Sequence, residues 1–110
     1  MHILYKDYIS HKKSITIDVI KNLVAGQFNM SVSDLVSSSR KRAIVRPRQM
    51  AIYLSKNYTD QPLQSIGKSF NRYHATAIHS INTIEKALKI DVPVKKQIER
   101  FRTMLDDGQF

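Results

Sequence analysis

The chain has 110 residues, and its 18 lysines and arginines outnumber its nine aspartates and glutamates, which gives a formal net charge of +9. This length fits one domain, and a hydrophobic fraction of 42% suffices for a globular core and is too high for a disordered tail. The absence of cysteine excludes disulfides, thiolate metal sites and a cysteine nucleophile. Because the sequence lacks both a membrane-spanning apolar run and the pattern of a signal peptide, we expect a cytoplasmic protein.

Apolar residues recur at helical spacing almost throughout the chain, and no alternating strand pattern or internal repeat is visible. A first long helix is expected after Thr16, which is suited to be its N-cap, with an apolar face over residues 19–28. The following segment, 29–39, reads as a connection that holds at most one short helix around 32–36. Three serines and the basic triplet Arg40-Lys-Arg then predict an exposed loop.

The second half of the chain predicts four more helices, so that the expected fold is all-α. A long helix should run over 44–58 with Pro47 in its first turn, where the missing N–H costs little. A short helix over 62–70 and a long one over 74–90 follow, and Pro93 opens the last helix. The residues of the two long helices expected to face inward include Met50, Ala51, Leu54, Tyr58, Ala77, Ile78 and Ile81.

The positive charge is concentrated between residues 35 and 84, where eight basic residues accompany a single acid, Asp60. This segment therefore carries +7 of the total charge, and the flanks are nearly balanced. Net charge bears on partners more than on fold, and a polyanion is the expected partner. An ordinary solvated surface, the alternative, would usually intersperse both signs. The eight basic residues are Arg40, Lys41, Arg42, Arg46, Arg48, Lys56, Lys68 and Arg72.

The short helix at 62–70 and the long helix at 74–90, joined by a few residues, outline a helix-turn-helix. In that motif the second helix enters the major groove of DNA and presents its N-terminal side chains to base edges. The exposed residues at this end would be His74, Ala75, Thr76 and His79, with Ile78 and Ile81 anchoring the opposite face.

Three blocks of the sequence are distinctive in this order and spacing: Arg46-Pro-Arg-Gln-Met-Ala-Ile-Tyr-Leu-Ser-Lys, Leu63-Gln-Ser-Ile-Gly-Lys-Ser-Phe and His74-Ala-Thr-Ala-Ile-His-Ser-Ile-Asn-Thr-Ile-Glu. With Ile15-Thr-Ile-Asp upstream, they resemble the C-terminal domain of DnaA, the family of bacterial initiators of chromosome replication, over roughly residues 15–103. The resemblance implies an all-α domain of about six helices, similar in part to the Trp repressor. It also implies binding to A·T-rich DnaA boxes in double-stranded DNA at the replication origin.

The resemblance also implies roles for residues of the basic segment. Arg40 matches the loop arginine that enters the minor groove, where a narrow A·T-rich groove concentrates negative potential. Arg42 lies in the same basic loop. Residues that match positions near the DNA backbone, where contacts fix register without reading sequence, are Arg48, Gln49, Lys56, Leu63 and Gln64. Those that match the start of the recognition helix are Arg72, Tyr73, His74, Ala75 and Thr76.

The chain departs from the family at the start of that helix. The family pattern is close to F-G-G-R-D-H-T-T-V, whereas this chain reads Phe70-Asn-Arg-Tyr-His-Ala-Thr-Ala, with one residue fewer in the turn. Tyr73 replaces an aspartate that could cap the helix and accept from a base, and Ala75 replaces a threonine. One lost contact changes discrimination at a base pair by about 1–3 kcal/mol. We therefore hypothesise a shifted or relaxed box preference with DNA binding retained.

The resemblance divides the chain into a connector helix from a preceding ATPase domain, 1–14, and the DNA-binding domain, 15–110. No P-loop, carboxylate pair, Ser–His–Asp arrangement or HExxH motif is visible, so we expect no enzymatic activity and no cofactor in this chain. ATP would belong to the absent domain of a DnaA protein in the bacterial nucleoid. Further expected partners are regulatory proteins and, weakly, acidic lipids at the connector.

Two alternatives to an initiator remain open. The altered segment 73–76 also suits a DnaA-like domain recruited by a transposase or transcriptional regulator. A basic helical surface could instead serve a protein-interaction module.

Overall fold

The computed structural model describes residues 14–110, which form six helices and no strand. The all-α prediction is thus confirmed, whereas the connector helix expected near the N-terminus lies outside the described residues. The helices are α1 (Ile17–Gln27), α2 (Val32–Leu35), α3 (Arg42–Tyr58), α4 (Leu63–Ser69), α5 (His74–Ile90) and α6 (Val92–Asp106).

Helices α1, α2 and α6 begin at side chains that accept a hydrogen bond from the first turn. The Thr16 hydroxyl accepts from the amide of Val19 at 3.1 Å, which confirms the predicted cap of α1. Ser31 caps α2 in the same way, and the Asp91 carboxylate caps α6 by accepting from the amide of Val94 at 3.2 Å. Each bond satisfies one of the amides that a helix start leaves without a partner.

Helix α3 begins two residues earlier than predicted, so the placement of Pro47 in its first turn is wrong. The Lys41 carbonyl accepts from the amides of Ile44 and Val45, and the helix starts at Arg42. Pro47 consequently lies inside the helix and is buried. Its ring removes the amide that would donate to the carbonyl of residue 43. The apolar pattern placed the start of the helix at Ile44, although Arg42 and Ala43 already belong to it.

Helix α3 is the centre of the domain and is in contact with α1, α2, α4 and α5. Six consecutive residues, Met50–Ser55, are buried, so this part of the helix is enclosed on every side. Three of the four predicted inward residues belong to this stretch. The fourth, Tyr58, is half-buried, and its hydroxyl donates to the Asp106 carboxylate at 3.0 Å. Burial is the larger cause and this hydrogen bond the next, and together they raise the pKa of Tyr58 to about 12.

The prediction that Ile78 anchors the inner face of α5 is wrong, because 37% of this residue is exposed. The buried residues of α5 are Ala77, Ser80, Ile84 and Ala87. They follow the helical repeat of three to four residues, and position 78 falls beside that stripe. Three of the four are small, which lets the backbones of α3 and α5 approach closely. Ser80, a small polar residue, is thus buried on the inner face of α5, where an apolar pattern predicts a residue such as isoleucine.

Helix α1 supports the end of α4 through a single lysine. The Lys21 ammonium donates to the Ser69 carbonyl at 2.5 Å and lies 5.1 Å from the centre of the Phe70 ring. A cation at this position is stabilised by the negative, C-terminal end of the α4 dipole. The end of α4 is therefore held before the chain turns into α5.

Candidate nucleic-acid interface

The predicted exposed loop connects α2 to α3, and its serines shape it. The Ser37 hydroxyl donates to the Asp34 carbonyl at 2.7 Å and accepts from the amide of Ser39 at 3.3 Å. The Ser39 hydroxyl accepts from the amide of Lys41 at 3.2 Å. Short hydroxyl side chains fold a loop in this way by bonding to nearby backbone groups. Arg40 and Arg42 are exposed at the end of this ordered segment.

Arg48, predicted to lie near the DNA backbone, is instead a buried residue that holds this loop from inside. Only 5% of it is exposed. Its Nε donates to the Leu35 carbonyl at 2.8 Å, Nη1 to the Ser39 carbonyl at 3.1 Å, and Nη2 to the Ser37 carbonyl at 2.8 Å. Burial, and then the charge of Arg72, lower the pKa of Arg48. Every nitrogen of this guanidinium has a backbone acceptor, which gives the side chain a structural role instead of a phosphate contact.

Arg72, predicted to belong to the DNA-reading end of the recognition helix, is also committed to backbone acceptors. Its Nη2 donates to the Ser37 carbonyl at 2.6 Å, and its Nη1 donates to the carbonyls of Phe70 and Asn71. The side-chain Nδ2 of Asn71 donates to the Val36 carbonyl at 3.3 Å. The turn between α4 and α5 is thereby bonded directly to the loop that carries the basic triplet.

This turn is tight, and two residues permit it. Asn71 adopts a φ of 57°, the left-handed conformation that asparagine tolerates better than most residues. The amide of Arg72 donates to the Gly67 carbonyl at 2.8 Å. A Cβ atom at Gly67 would lie 2.9 Å from the Arg72 carbonyl oxygen and 3.3 Å from that of Tyr73. The missing side chain of Gly67 therefore lets the start of α5 rest against α4.

The start of α5 presents a nearly uncharged, exposed surface. Tyr73 is the N-cap and is 87% exposed, and its side chain makes no capping bond. His74, Ala75 and Thr76, the predicted base-reading residues, are exposed next to it. Ile78 adds an apolar side chain that the sequence reasoning had assigned to the core. Apolar and hydroxyl-bearing side chains of this kind can pack against thymine methyl groups in a major groove.

Two open clefts flank this surface and collect several of the remaining predicted residues. The first has a volume of about 560 Å³ and lies between α4 and the start of α5. The second, of about 210 Å³, lies between the start of α3 and the middle of α5. The first is lined by Gln64, Lys68, Asn71, Arg72, Tyr73 and His74, and the second by Arg42, Val45, Arg46, Gln49 and Thr83.

The other predicted positions are placed differently. Leu63 is half-buried in the first turn of α4, and Lys56 is exposed in the last turn of α3 and lines neither cleft. Five residues that line the clefts are absent from the predicted site: Lys68, Asn71, Val45, Arg46 and Thr83. For Lys68 and Arg46 the available signal was their place in the acid-poor segment. For Asn71 it was the substitution of the family's turn glycine.

Helices α3, α4 and α5 lack a side-chain cap, in contrast to α1, α2 and α6. Their first amides point out of the helix without a side-chain acceptor, and the helix dipole favours an anion there. Within residues 14–110 no helix is long and apolar enough to cross a membrane. The same part of the chain contains no cluster of histidine and acidic residues suited to a metal ion.

Comparison with known proteins places this arrangement in a family. Residues 17–84 match the family described as "Bacterial dnaA protein helix-turn-helix". The chain is 39% identical over 102 residues to the chromosomal replication initiator protein DnaA of Desulfatibacillum aliphaticivorans, an alignment that covers 93% of this chain and 22% of that protein. It is 44% identical over 97 residues to the DnaA of Ehrlichia ruminantium (strain Gardel), covering 87% of this chain and 21% of the relative.

A third relative, the DnaA of Rickettsia canadensis, is 37% identical over 99 residues, which are 89% of this chain and 21% of that protein. The chain thus spans about a fifth of the length of the curated relatives it matches. The family match covers the basic loop, the first helix of the helix-turn-helix and the second helix as far as residue 84. The sequence, the fold and these similarities together establish that the chain belongs to the bacterial DnaA helix-turn-helix family.

Proposed function

We propose that this chain binds double-stranded DNA sequence-specifically, at DnaA-box-like sites of a bacterial replication origin, and so acts in the initiation and regulation of chromosome replication. One observation carries the proposal: the exposed, nearly uncharged start of α5 is hydrogen-bonded, through Arg72, to the loop that presents Arg40. A base-reading end beside a positive arm is the combination that sequence-specific duplex binding needs.

The proposed division of work follows from charge and placement. Tyr73, His74, Ala75 and Thr76 read base edges in the major groove, and Arg40 enters the adjacent A·T-rich minor groove. Exposed polar residues around them, Lys56, Gln64 and Lys68, contact phosphates and fix the register. The proposed role of residues 14–110 is binding without catalysis.

The proposal is tested by selecting bound sequences from a pool of random duplexes. We expect enrichment of an A·T-rich box related to that of the family, with altered or relaxed preference at the base pairs facing Tyr73 and Ala75. The reason is that neither side chain replaces the acceptor and the hydroxyl of the family pattern. An unaltered family consensus at every position would refute the altered preference, and no enrichment at all would refute sequence-specific binding.

Salt dependence separates duplex binding from a protein-interaction module. With about six phosphate contacts, the logarithm of the binding constant should fall against the logarithm of salt concentration with a slope near −5. A flat response for the same duplex would favour a protein partner for the basic surface.

Substitutions of Arg40 and Lys56 are expected to separate shape reading from backbone positioning. Both side chains are exposed, so their loss should not unfold the domain. Arg40→Ala should weaken binding most at A·T-rich boxes, whereas Lys56→Ala should weaken all duplexes about equally. Titration of both variants against a box and a G·C-rich duplex measures this. Equal losses on both duplexes for both variants would contradict the division.

A further inference from the structure

Arg46 is an arginine for which the described part of the protein provides no partner. It is half-buried on α3, and its Nη1 is enclosed without a hydrogen-bond acceptor in residues 14–110. The contrast with Arg48, two residues later on the same helix, is direct, since all three nitrogens of Arg48 donate to carbonyls. The fold therefore satisfies one of these two arginines and leaves the other with unused donors.

The cleft around Arg46 offers positive charge and no acid. Its lining of Arg42, Val45, Arg46, Gln49 and Thr83 contains two guanidinium groups. Arg42 and Arg46 are four residues apart on α3, a spacing that puts two like charges on one face of a helix. The Gln49 side chain has no hydrogen-bond partner in the described residues, so its amide is available as a neutral donor. The Thr83 hydroxyl already donates to the His79 carbonyl at 2.8 Å, so Thr83 lines the cleft without offering a donor to an anion.

This arrangement destabilises the protein as long as no anion is bound in the cleft. A partly enclosed charge without a partner loses hydration and gains nothing in return, and the neighbouring arginine adds repulsion. An anion in the cleft would reverse both effects, because a guanidinium binds phosphate oxygens through a pair of parallel hydrogen bonds. The cleft is thus suited to an oxyanion with several oxygens.

Its position indicates which anion. Arg42 directly follows the loop of Arg40, the side chain proposed for the minor groove, and Thr83 belongs to the helix proposed for the major groove. The sugar–phosphate backbone is what separates the two grooves of a duplex. A surface between a minor-groove arm and a major-groove helix must therefore face a backbone phosphate.

We propose that Arg46, with Arg42 and Gln49, forms a seat for one phosphate of duplex DNA between the loop and α5. This inference rests on the proposed DNA-binding function and gives Arg46, which the resemblance did not assign to the interface, a specific contact. The seat reads no base, so its contribution is the same for all duplexes.

The test measures duplex binding across a range of salt concentrations, and thermal unfolding without DNA, for the full chain and for Arg46→Gln. The variant should bind both a box and an unrelated duplex roughly 3- to 10-fold more weakly, with a salt slope less steep by about one. Its melting temperature without DNA should be equal or higher, because an unsatisfied charge is removed. Arg100→Gln, which removes an exposed arginine on α6, is the matched control and should alter neither slope nor affinity.

A second variant, Arg46→Lys, keeps the charge without the forked donors and should retain the slope while losing part of the affinity. A lower melting temperature with unchanged affinity and slope for Arg46→Gln would overturn the phosphate seat in favour of a structural role. Inorganic phosphate could instead stabilise the unaltered protein but not Arg46→Gln, with duplex binding unaffected by the substitution. That result would overturn the assignment of the seat to DNA. If the unaltered chain does not bind duplex DNA at all, the proposed function itself is refuted.

Discussion

Replacing Arg48 by alanine is expected to destabilise the domain by about 2–5 kcal/mol and to abolish preference for A·T-rich boxes. The substitution removes three hydrogen bonds to the carbonyls of Leu35, Ser37 and Ser39 and leaves a cavity beside α3. Carbonyls that lose a charged donor are costly to leave without partners in a closed environment. The loop that carries Arg40 then loses its internal support. Denaturant unfolding gives the loss in stability, and titration against two duplexes gives the loss of preference.

Two comparison variants make this result specific. Arg100→Ala removes an exposed arginine of α6 and should change stability by less than about 0.5 kcal/mol. Arg48→Lys keeps the charge but cannot reach three acceptors with one ammonium, so its stability should fall between those of the alanine variant and the unaltered protein. If Arg48→Ala kept full stability and lost DNA affinity uniformly, the side chain would be a phosphate contact after all.

Replacing Gly67 by alanine is expected to weaken duplex binding by roughly 10-fold or more, with a loss of about 1–3 kcal/mol in stability. The added methyl group would lie 2.9 Å from the Arg72 carbonyl oxygen and 3.3 Å from that of Tyr73. Both are backbone atoms, so the turn itself must move. Because this turn leads into α5, the movement displaces the residues proposed to read bases. Affinity for the selected box and thermal unfolding measure the two effects.

Gly26→Ala provides a control of the same chemistry at a site without crowding. Gly26 is exposed in α1, and a Cβ atom there would meet nothing within 4 Å. Alanine in a helix loses less entropy on folding than glycine, so this variant should gain about 0.5–1 kcal/mol and bind DNA normally. Equal behaviour of the two alanine variants would contradict the argument that α4 and the turn need the missing side chain of Gly67.

The helices of this domain could largely be predicted from sequence because their signals are local. Thr16 caps α1 through a bond to a residue three positions later, and the bounds of α5 follow from its own apolar repeat. The start of α3 was missed because the side chain of Lys41 makes no capping bond. Ile78 was misplaced because four residues of α5 suffice to cover α3, and only the three-dimensional packing shows which four.

The sequence predicted which residues at the start of α5 and in the basic loop are exposed, and it did not predict the hydrogen bonds that join these two segments. The exposed residues at the start of α5 and in the basic loop follow from composition, motif and resemblance. Arg48 and Arg72 read as two more cations of a DNA-binding surface, since charge is all that a sequence shows of them. The acceptors of Arg48 lie nine to 13 positions away, and Arg72 reaches the carbonyl of Ser37, 35 positions away, besides two carbonyls of its own turn. Such distant bonds follow from the fold alone, so no local pattern could have separated these two arginines from Arg40.

The carbonyl of Ser37 accepts from Arg48 on one side and from Arg72 on the other, at 2.8 and 2.6 Å. The arm of Arg40 and the tip of α5 are consequently fixed relative to each other in the absence of DNA. If the two segments contact the two grooves as proposed, they contact a duplex at one fixed separation. One base pair inserted between their targets would shift them apart by about 3.4 Å and rotate them by about a tenth of a turn. The domain would thus discriminate between sites by their spacing. A box that has the correct bases at the wrong spacing would bind weakly.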